Sequence, residues 1–260
     1  MTARPGLPGF RAVFFDLDGT LYDERGGMLR ALDETLGLIA ELVVGLDVAA
    51  AKRLYPEVGR AIWETADLTA PGPDPRARTQ ELRCRVWGLL MERCGCPVAP
   101  DLAARLAAIY SEARFRHHRL FPEATEVLDR LDSLKAGNGI LRVGLITNGA
   151  SDLQRDKLAA CALAERFDPV LISAEVGVAK PSAEIFHEAL ERCGVAAGEA
   201  LYVGDSPDKD VAGARSAGLA AAWVNRTEAP FPPGLPEPTW EIRDLRSVPD
   251  IVSGSDGESA

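Results

Sequence analysis

At 260 residues, 47% of them hydrophobic and 26% charged, the chain is long enough for one large domain or two smaller ones and too apolar for global disorder. A formal net charge of −10 excludes nonspecific nucleic-acid binding, which needs basic surface against phosphates, though a few local cations could still hold a small phosphorylated ligand. No stretch approaches the ~18 consecutive apolar residues of a membrane span, and residues 1–11 lack the apolar run of a signal peptide, so the expected location is the cytoplasm, with no membrane partner.

The first element is Val13-Phe14-Phe15, an apolar run without alternation that suits a central strand of a parallel sheet covered on both faces. It ends abruptly in Asp16-Leu17-Asp18-Gly19-Thr20. Such sheets bind ligands beyond the carboxyl ends of their strands, and with a side-chain period of two Asp16 and Asp18 share a face. Two carboxylates side by side repel unless a cation or a proton lies between them, so the pair predicts a bound Mg2+, a raised pKa on one member, or both. Gly19 lets the backbone turn away sharply. An Asp-rich turn selected for geometry alone would read the same, so the later segments have to decide.

After a polar turn at 21–25 the pattern becomes helical. Leu29, Leu32, Leu36, Ile39 and Val43 recur at helical spacing, then Leu54, Val58, Ile62 and Trp63, then Leu82, Val86, Leu89 and Leu90, then Leu102, Leu106, Ile109 and Tyr110. Breaks fall at 45–47, 71–75 and 95–100. This section, 23–118, reads as an inserted helical bundle. Beyond Phe121-Pro122, helices expected at 124–134, 151–162, 183–193 and 208–217 alternate with strands at 141–147, 169–174, 200–204 and 220–224, which implies one parallel α/β sheet with right-handed crossovers. The α/β core is therefore discontinuous, 1–22 and 119–252. A short edge strand at 239–242 and a weak helix near Leu245 follow, and 253–260 reads as a disordered tail.

Three later junctions carry chemistry. Thr147-Asn148-Gly149 ends a strand and opens a helix, placing a hydroxyl and backbone N–H groups where a helix N-terminus attracts anions. Lys180-Pro181 precedes the helix that carries Ile185 and Phe186, where a lysine can pair with a phosphate or a carboxylate. Leu201-Tyr202-Val203 runs into Gly204-Asp205-Ser206-Pro207-Asp208-Lys209-Asp210, an acidic cluster of hard oxygen donors suited to Mg2+. Within it Asp208 reads as a helix cap and Asp205 as a metal ligand.

Other residues read as scaffold. His117 and His118 sit among arginines at a helix end, where basic groups complement the dipole. His187 is a surface or packing residue, and Trp63 and Trp87 belong to the helical core. The five cysteines are odd in number and lack paired metal-ligand spacing, which fits reduced thiols.

Taken in order, D-x-D-G-T, T-N-G, K-P and G-D-S-x-x-x-D resemble the four sequence motifs of the haloacid dehalogenase-like (HAD) superfamily across the whole α/β core. The stretches Leu145 to Gly149 with Gln154, Arg155, Lys157 and Leu158, and Val178 to Pro181 with Ile185-Phe186, look most like the N-acylneuraminate-9-phosphatase and pyrimidine 5′-nucleotidase branches. The resemblance implies that the helical insert is a mobile cap. It also implies that Asp16 is the nucleophile, Asp18 the general acid and base, and Thr147, Asn148 and Lys180 the phosphate-holding groups. Asp205 would bind Mg2+ with the Asp16 carboxylate and the Asp18 backbone carbonyl, and Asp210 would ligate the metal through water or orient Lys180.

The expected activity is Mg2+-dependent hydrolysis of a small phosphate monoester, a sugar phosphate or nucleoside monophosphate, through an aspartyl-phosphate. A phosphomutase of the same superfamily is the alternative. A 2-haloacid dehalogenase would lack Asp18 and need no metal, and a non-catalytic binding protein would have lost a motif carboxylate. Tyr22, Asp23, Trp63, Arg83 and Trp87 are candidates for shaping the leaving-group pocket, and the chain is expected to be a monomer or homodimer.

Overall fold

The computed structural model describes residues 9–68, 74–138 and 141–254. Strand β1, Ala12–Phe15, is wholly buried, as an unalternated apolar run must be when both faces of a sheet are covered. Helices α1 (Glu24–Ile39), α2 (Val48–Trp63), α3 (Pro75–Arg93) and α4 (Pro100–Arg116) follow without an intervening strand. The chain then alternates: α5 (Ala124–Asn138), β2 (Arg142–Thr147), α6 (Ser151–Ala160), β3 (Val170–Ile172), α7 (Ser173–Val176), α8 (Ala183–Cys193) and β4 (Ala200–Gly204). A widened helical turn at Pro207–Ala212 leads into α9 (Gly213–Ser216), β5 (Ala220–Val224), β6 (Trp240–Ile242) and α10 (Val248–Ser253).

The six strands form one parallel sheet in the order β3-β2-β1-β4-β5-β6. Phe15 lies level with Leu145 of β2 and Val203 of β4. The residues just beyond these positions, Asp16, Thr147 and Asp205, therefore emerge at the same carboxyl edge. One face is covered by α8 and α9, whose Ile185, Phe186, Leu190 and Ala214 join Phe14, Ile146, Tyr202 and Trp223 in one buried cluster. Each large side chain there contributes roughly 1.5–3 kcal/mol by leaving water.

The chain divides into two compact units, residues 1–23, 120–149 and 162–260 in one, 24–119 and 150–161 in the other. The second is helical, with Leu32, Leu36, Val58, Leu82, Leu90 and Leu106 in its core around the aromatic trio Tyr55, Trp87 and Tyr110. The ring centroids of the trio are 5.1–5.7 Å apart, a spacing at which tilted aromatic pairs add to simple burial. Asp47 and Asp74 cap α2 and α3 by accepting from the Ala50 and Arg76 N–H groups at 3.0 and 2.9 Å, as acceptor side chains at helix starts do. Helix α6 groups with these helices rather than with the sheet. Thr79 of α3 donates to Asp152 at 2.9 Å, and Arg76 pairs with Asp156 at 2.9 Å.

Some expectations shift. The strand expected to Ala174 stops at Ile172, because Ser173–Val176 closes one helical turn ended by Gly177 in the left-handed region at φ +78°. The expected tail begins inside a helix, since α10 runs to Ser253, and beyond 254 it lies outside the described residues. The break expected at 71–75 also falls largely outside them, with Asp74 and Pro75 already starting α3. Among the described residues no helix is long and apolar enough to cross a membrane.

Candidate active site

Lys180 is the hub of the site. It is 4% exposed, and its ammonium donates to Asp16 Oδ1 at 2.6 Å, Asp210 Oδ1 at 2.7 Å and Tyr202 Oη at 2.7 Å. These three partners use all three protons of the group. Asn148 holds the Lys180 backbone from both sides: its amide accepts from the Lys180 N–H and donates to the Lys180 carbonyl, each at 2.9 Å. The T-N-G and K-P segments are thus locked to each other. Gly149 N–H donates to Ser173 Oγ at 3.0 Å, which fixes the turn from the other side. Thr147, at the tip of β2, is fully buried.

The Asp16 N–H continues the sheet by donating to the Val203 carbonyl at 2.9 Å, so the first carboxylate is placed by the ladder itself. The chain then folds back, with the Gly19 N–H donating to the Tyr22 carbonyl at 2.9 Å. At the tip of β4 the Trp223 indole donates to the Asp205 carbonyl at 2.9 Å, and the Ser206 N–H donates to Asp210 Oδ2 at 2.9 Å. Gly204 is required here, because a β-carbon would fall 2.4 Å from the Asp210 carboxyl carbon.

The electrostatics follow from crowding. Burial, reinforced by Asp210, Asp205 and Asp18, raises the Asp16 pKa well above the usual carboxylate range, against the opposing pull of Lys180. Burial and the Asp210 charge push Asp205 up to about 7. Burial alone would discharge Lys180, but Asp16 and Asp210 reverse that and keep the ammonium charged. One cation does not neutralise this many acids.

Oxygens of Asp16, Asp205 and Asp210 lie within 4.8 Å of one another. A set made only of carboxylate oxygens, with charge left to neutralise, suits a hard divalent cation such as Mg2+. Asp18 bears on Asp16 and Asp205 through space and lies outside this carboxylate trio.

Asp208 stands apart from the site. It is exposed, accepts from Ser206 Oγ at 2.6 Å, and that contact lowers its pKa. The helix cap expected of Asp208 is made by Ser206 instead, which accepts from the Lys209 N–H at 3.4 Å. Trp87 and Tyr22 are fully buried, so neither presents a face to solvent, and His187 is exposed.

Two contributors escaped the sequence reading. Tyr202 is one of an unbroken apolar strand, and its hydroxyl, 3.0 Å from the Ile146 carbonyl, shows only in three dimensions. Arg226 follows β5 and reaches the turn after β1, donating to the Gly19 and Thr20 carbonyls at 3.3 and 2.8 Å. It also pairs with the buried Glu123 at 2.7 Å and stacks 3.5 Å over the Phe121 ring.

Residues 10–218 match the family model described as a haloacid dehalogenase-like hydrolase. The chain is 41% identical over 252 residues to the phosphoserine phosphatase of Thermus thermophilus, spanning 92% of this chain and 97% of that one. It is 27% identical over 257 residues to the N-acylneuraminate-9-phosphatase of Rattus norvegicus, spanning 96% and 97%. Among solved structures it matches the magnesium-bound HAD-hydrolase YfnB of Bacillus subtilis with a TM-score of 0.72 at 24% identity, over 94% of this chain and 99% of that one, a likeness of fold.

Proposed function

The chain belongs to the haloacid dehalogenase-like hydrolase family and is a phosphatase, and from that premise we propose that it hydrolyses a small phosphate monoester, with Mg2+, through an aspartyl-phosphate on Asp16. The observation that carries the reading is the single ammonium of Lys180 set between Asp16, at the tip of β1, and Asp210, in the helical turn after β4. That arrangement provides a nucleophile, a cation for the phosphoryl oxygens, and an acid that fixes the cation.

Asp16, Asp205 and Asp210, with the Asp18 carbonyl, would hold Mg2+, which when bound supplies positive charge that lets an anionic nucleophile approach a phosphate dianion. Asp16 attacks phosphorus in line, and the ester P–O bond breaks as the Asp16–phosphorus bond forms. Asp18 gives its proton to the leaving oxygen, then as a carboxylate takes a proton from the water that cleaves the aspartyl-phosphate. Thr147 and Lys180 stabilise charge on the equatorial oxygens, and Asn148 keeps Lys180 in place. The phosphoserine phosphatase relative adds a phosphorylated hydroxy amino acid to the sugar and nucleotide classes expected from sequence. The location we propose is the cytoplasm.

The test is phosphate release from phosphoserine, sugar phosphates, nucleoside monophosphates and an aryl phosphate, with Mg2+ and with chelator. Mg2+-dependent release that disappears in Asp16→Asn supports the reading. Full activity in Asp16→Asn, or an isomerised sugar phosphate in place of free phosphate, overturns it.

A further inference from the structure

Strand β5 reads Ala220-Ala221-Ala222-Trp223-Val224, one large ring in a run of small side chains. Trp223 lies level with Gly204 of β4 and is 3% exposed. Its ring packs edge-to-face on Phe231, with centroids 5.1 Å apart at 75°. Its N–H reaches past the end of β4 to the Asp205 carbonyl at 2.9 Å. A phenylalanine would fill the same apolar space without bringing a donor to its rim.

The peptide unit that receives this bond links two carboxylates of the acidic trio. Its carbonyl belongs to Asp205 and accepts from the indole. Its N–H belongs to Ser206 and donates to Asp210 Oδ2 at 2.9 Å. A peptide is planar and turns as one piece, so the indole at one end bears on the Asp210 carboxylate at the other. The carboxylates of Asp16 and Asp210 are also held by the Lys180 ammonium, at 2.6 and 2.7 Å. That of Asp205 is bonded instead to its own backbone N–H, so its direction follows the backbone that Trp223 grips.

We propose that Trp223 is a positioning residue for the cation site: its indole N–H fixes the Asp205–Ser206 peptide and so sets the Asp205 and Asp210 carboxylates to receive a hard divalent cation. This rests on the reading of those carboxylates as Mg2+ ligands. A buried carbonyl also needs a donor for stability alone, and the experiment has to separate the two roles. Groups that orient metal ligands commonly change affinity by roughly 10–100-fold, and Trp223 acts one step further out, through a peptide, so the expected loss is about tenfold.

The test is Mg2+ binding to the purified chain without substrate, with sodium chloride matched for ionic strength. Titration calorimetry gives Kd, and the Mg2+-induced rise in melting temperature follows it, because a ligand stabilises the folded chain according to its concentration over Kd. Trp223→Phe keeps a ring beside Phe231 and loses the donor. Phe231→Leu loosens the packing of the same indole and keeps the donor. Both variants lower the melting temperature of the metal-free chain, which is all that a packing role requires.

The expected result is that Trp223→Phe raises Kd about tenfold and shrinks the Mg2+-induced rise, whereas Phe231→Leu keeps both near their wild-type values. An unchanged Kd in Trp223→Phe, or an equal loss in the two variants, overturns the proposal while leaving the metal reading in place. Absence of Mg2+ binding in the wild-type chain overturns the metal reading, and the proposal with it. Should Trp223→Phe fail to fold, 3-benzothienylalanine in place of Trp223 carries the comparison, because it keeps the ring outline and exchanges the N–H for sulfur.

Discussion

A β-carbon on Gly19 would fall 2.2 Å from Oδ2 of Asp205. The turn after β1 and the tip of β4 therefore approach more closely than any residue with a side chain permits, and the Gly19 φ of +87° is itself in the left-handed region. Gly19→Ala should strain the backbone by about 1 kcal/mol or more and push the Asp205 carboxylate aside. The expected result is a modest loss in melting temperature with a disproportionate, at least tenfold, rise in the Mg2+ concentration needed for activity. A melt paired with a Mg2+ titration checks it. An unchanged titration would show that Asp205 has room to move without consequence.

Lys180 makes a stability prediction as well as a catalytic one. Lys180→Met keeps most of the volume but leaves Asp16 and Asp210 buried with no cation between them. Removing one partner of a buried ion pair costs roughly 3–5 kcal/mol. The variant should be inactive and destabilised by an amount of that order in metal-free buffer, as read by urea unfolding. Millimolar Mg2+ should recover part of the loss, whereas the same salt should recover nothing in Lys180→Met/Asp205→Asn if Asp205 is a ligand.

How far the sequence reaches is visible in these residues. Asp16, Thr147 and Asp205 were legible because each sits where an apolar strand ends, and the strand register brings those ends to one edge; Lys180 and Asp210 stood out as charged residues in the turns before α8 and after β4, where their side chains meet. The four helices between β1 and α5 were legible from periodicity. The grouping of α6 was not. It depends on Thr79 and Arg76 of a helix far earlier in the chain, and its own pattern matches any helix of a parallel sheet. Tyr202 and Arg226 were hidden for a related reason: a tyrosine in an apolar strand and an arginine in a loop are ordinary residues until their partners are known.

Arg226 makes a third prediction. It joins the turn bearing Asp18 to Glu123 and Phe121, where the chain returns from the helical insert. Arg226→Leu strands Glu123, which is 4% exposed, and releases two carbonyls. Because the arginine is itself partly open to solvent, the expected loss is roughly 2 kcal/mol, below the range for a fully buried pair. Glu123→Gln added to Arg226→Leu should recover part of that stability, since the stranded charge is gone. It should leave kcat low if Arg226 acts by positioning the Asp18 turn. Recovery of both together would make Arg226 a stability residue only.

The pH dependence of stability separates two groups of opposite sign. Asp205, pushed up to about 7 from 3.8, holds a proton in the folded chain that the unfolded chain lacks between those values. Metal-free protein therefore gains stability from it as pH falls through 7, and loses that contribution as pH rises. His118, held at about 4 rather than 6.5 by burial and by Arg114 and Lys157, behaves in the reverse way. Between 6.5 and 4 the unfolded chain takes up a proton that the folded chain refuses, so stability falls on acidification.

After discounting for partial exposure the His118 contribution is roughly 1 kcal/mol. The two slopes oppose each other in the wild-type chain, so the test is a difference. Urea unfolding of wild type and His118→Gln from pH 7 to pH 4 should show the variant keeping stability that the wild type loses, with the gap closed at pH 7. Mg2+ should remove the Asp205 contribution from both proteins and leave that gap intact. A gap that Mg2+ erased would place the titrating group at the metal cluster, not at His118.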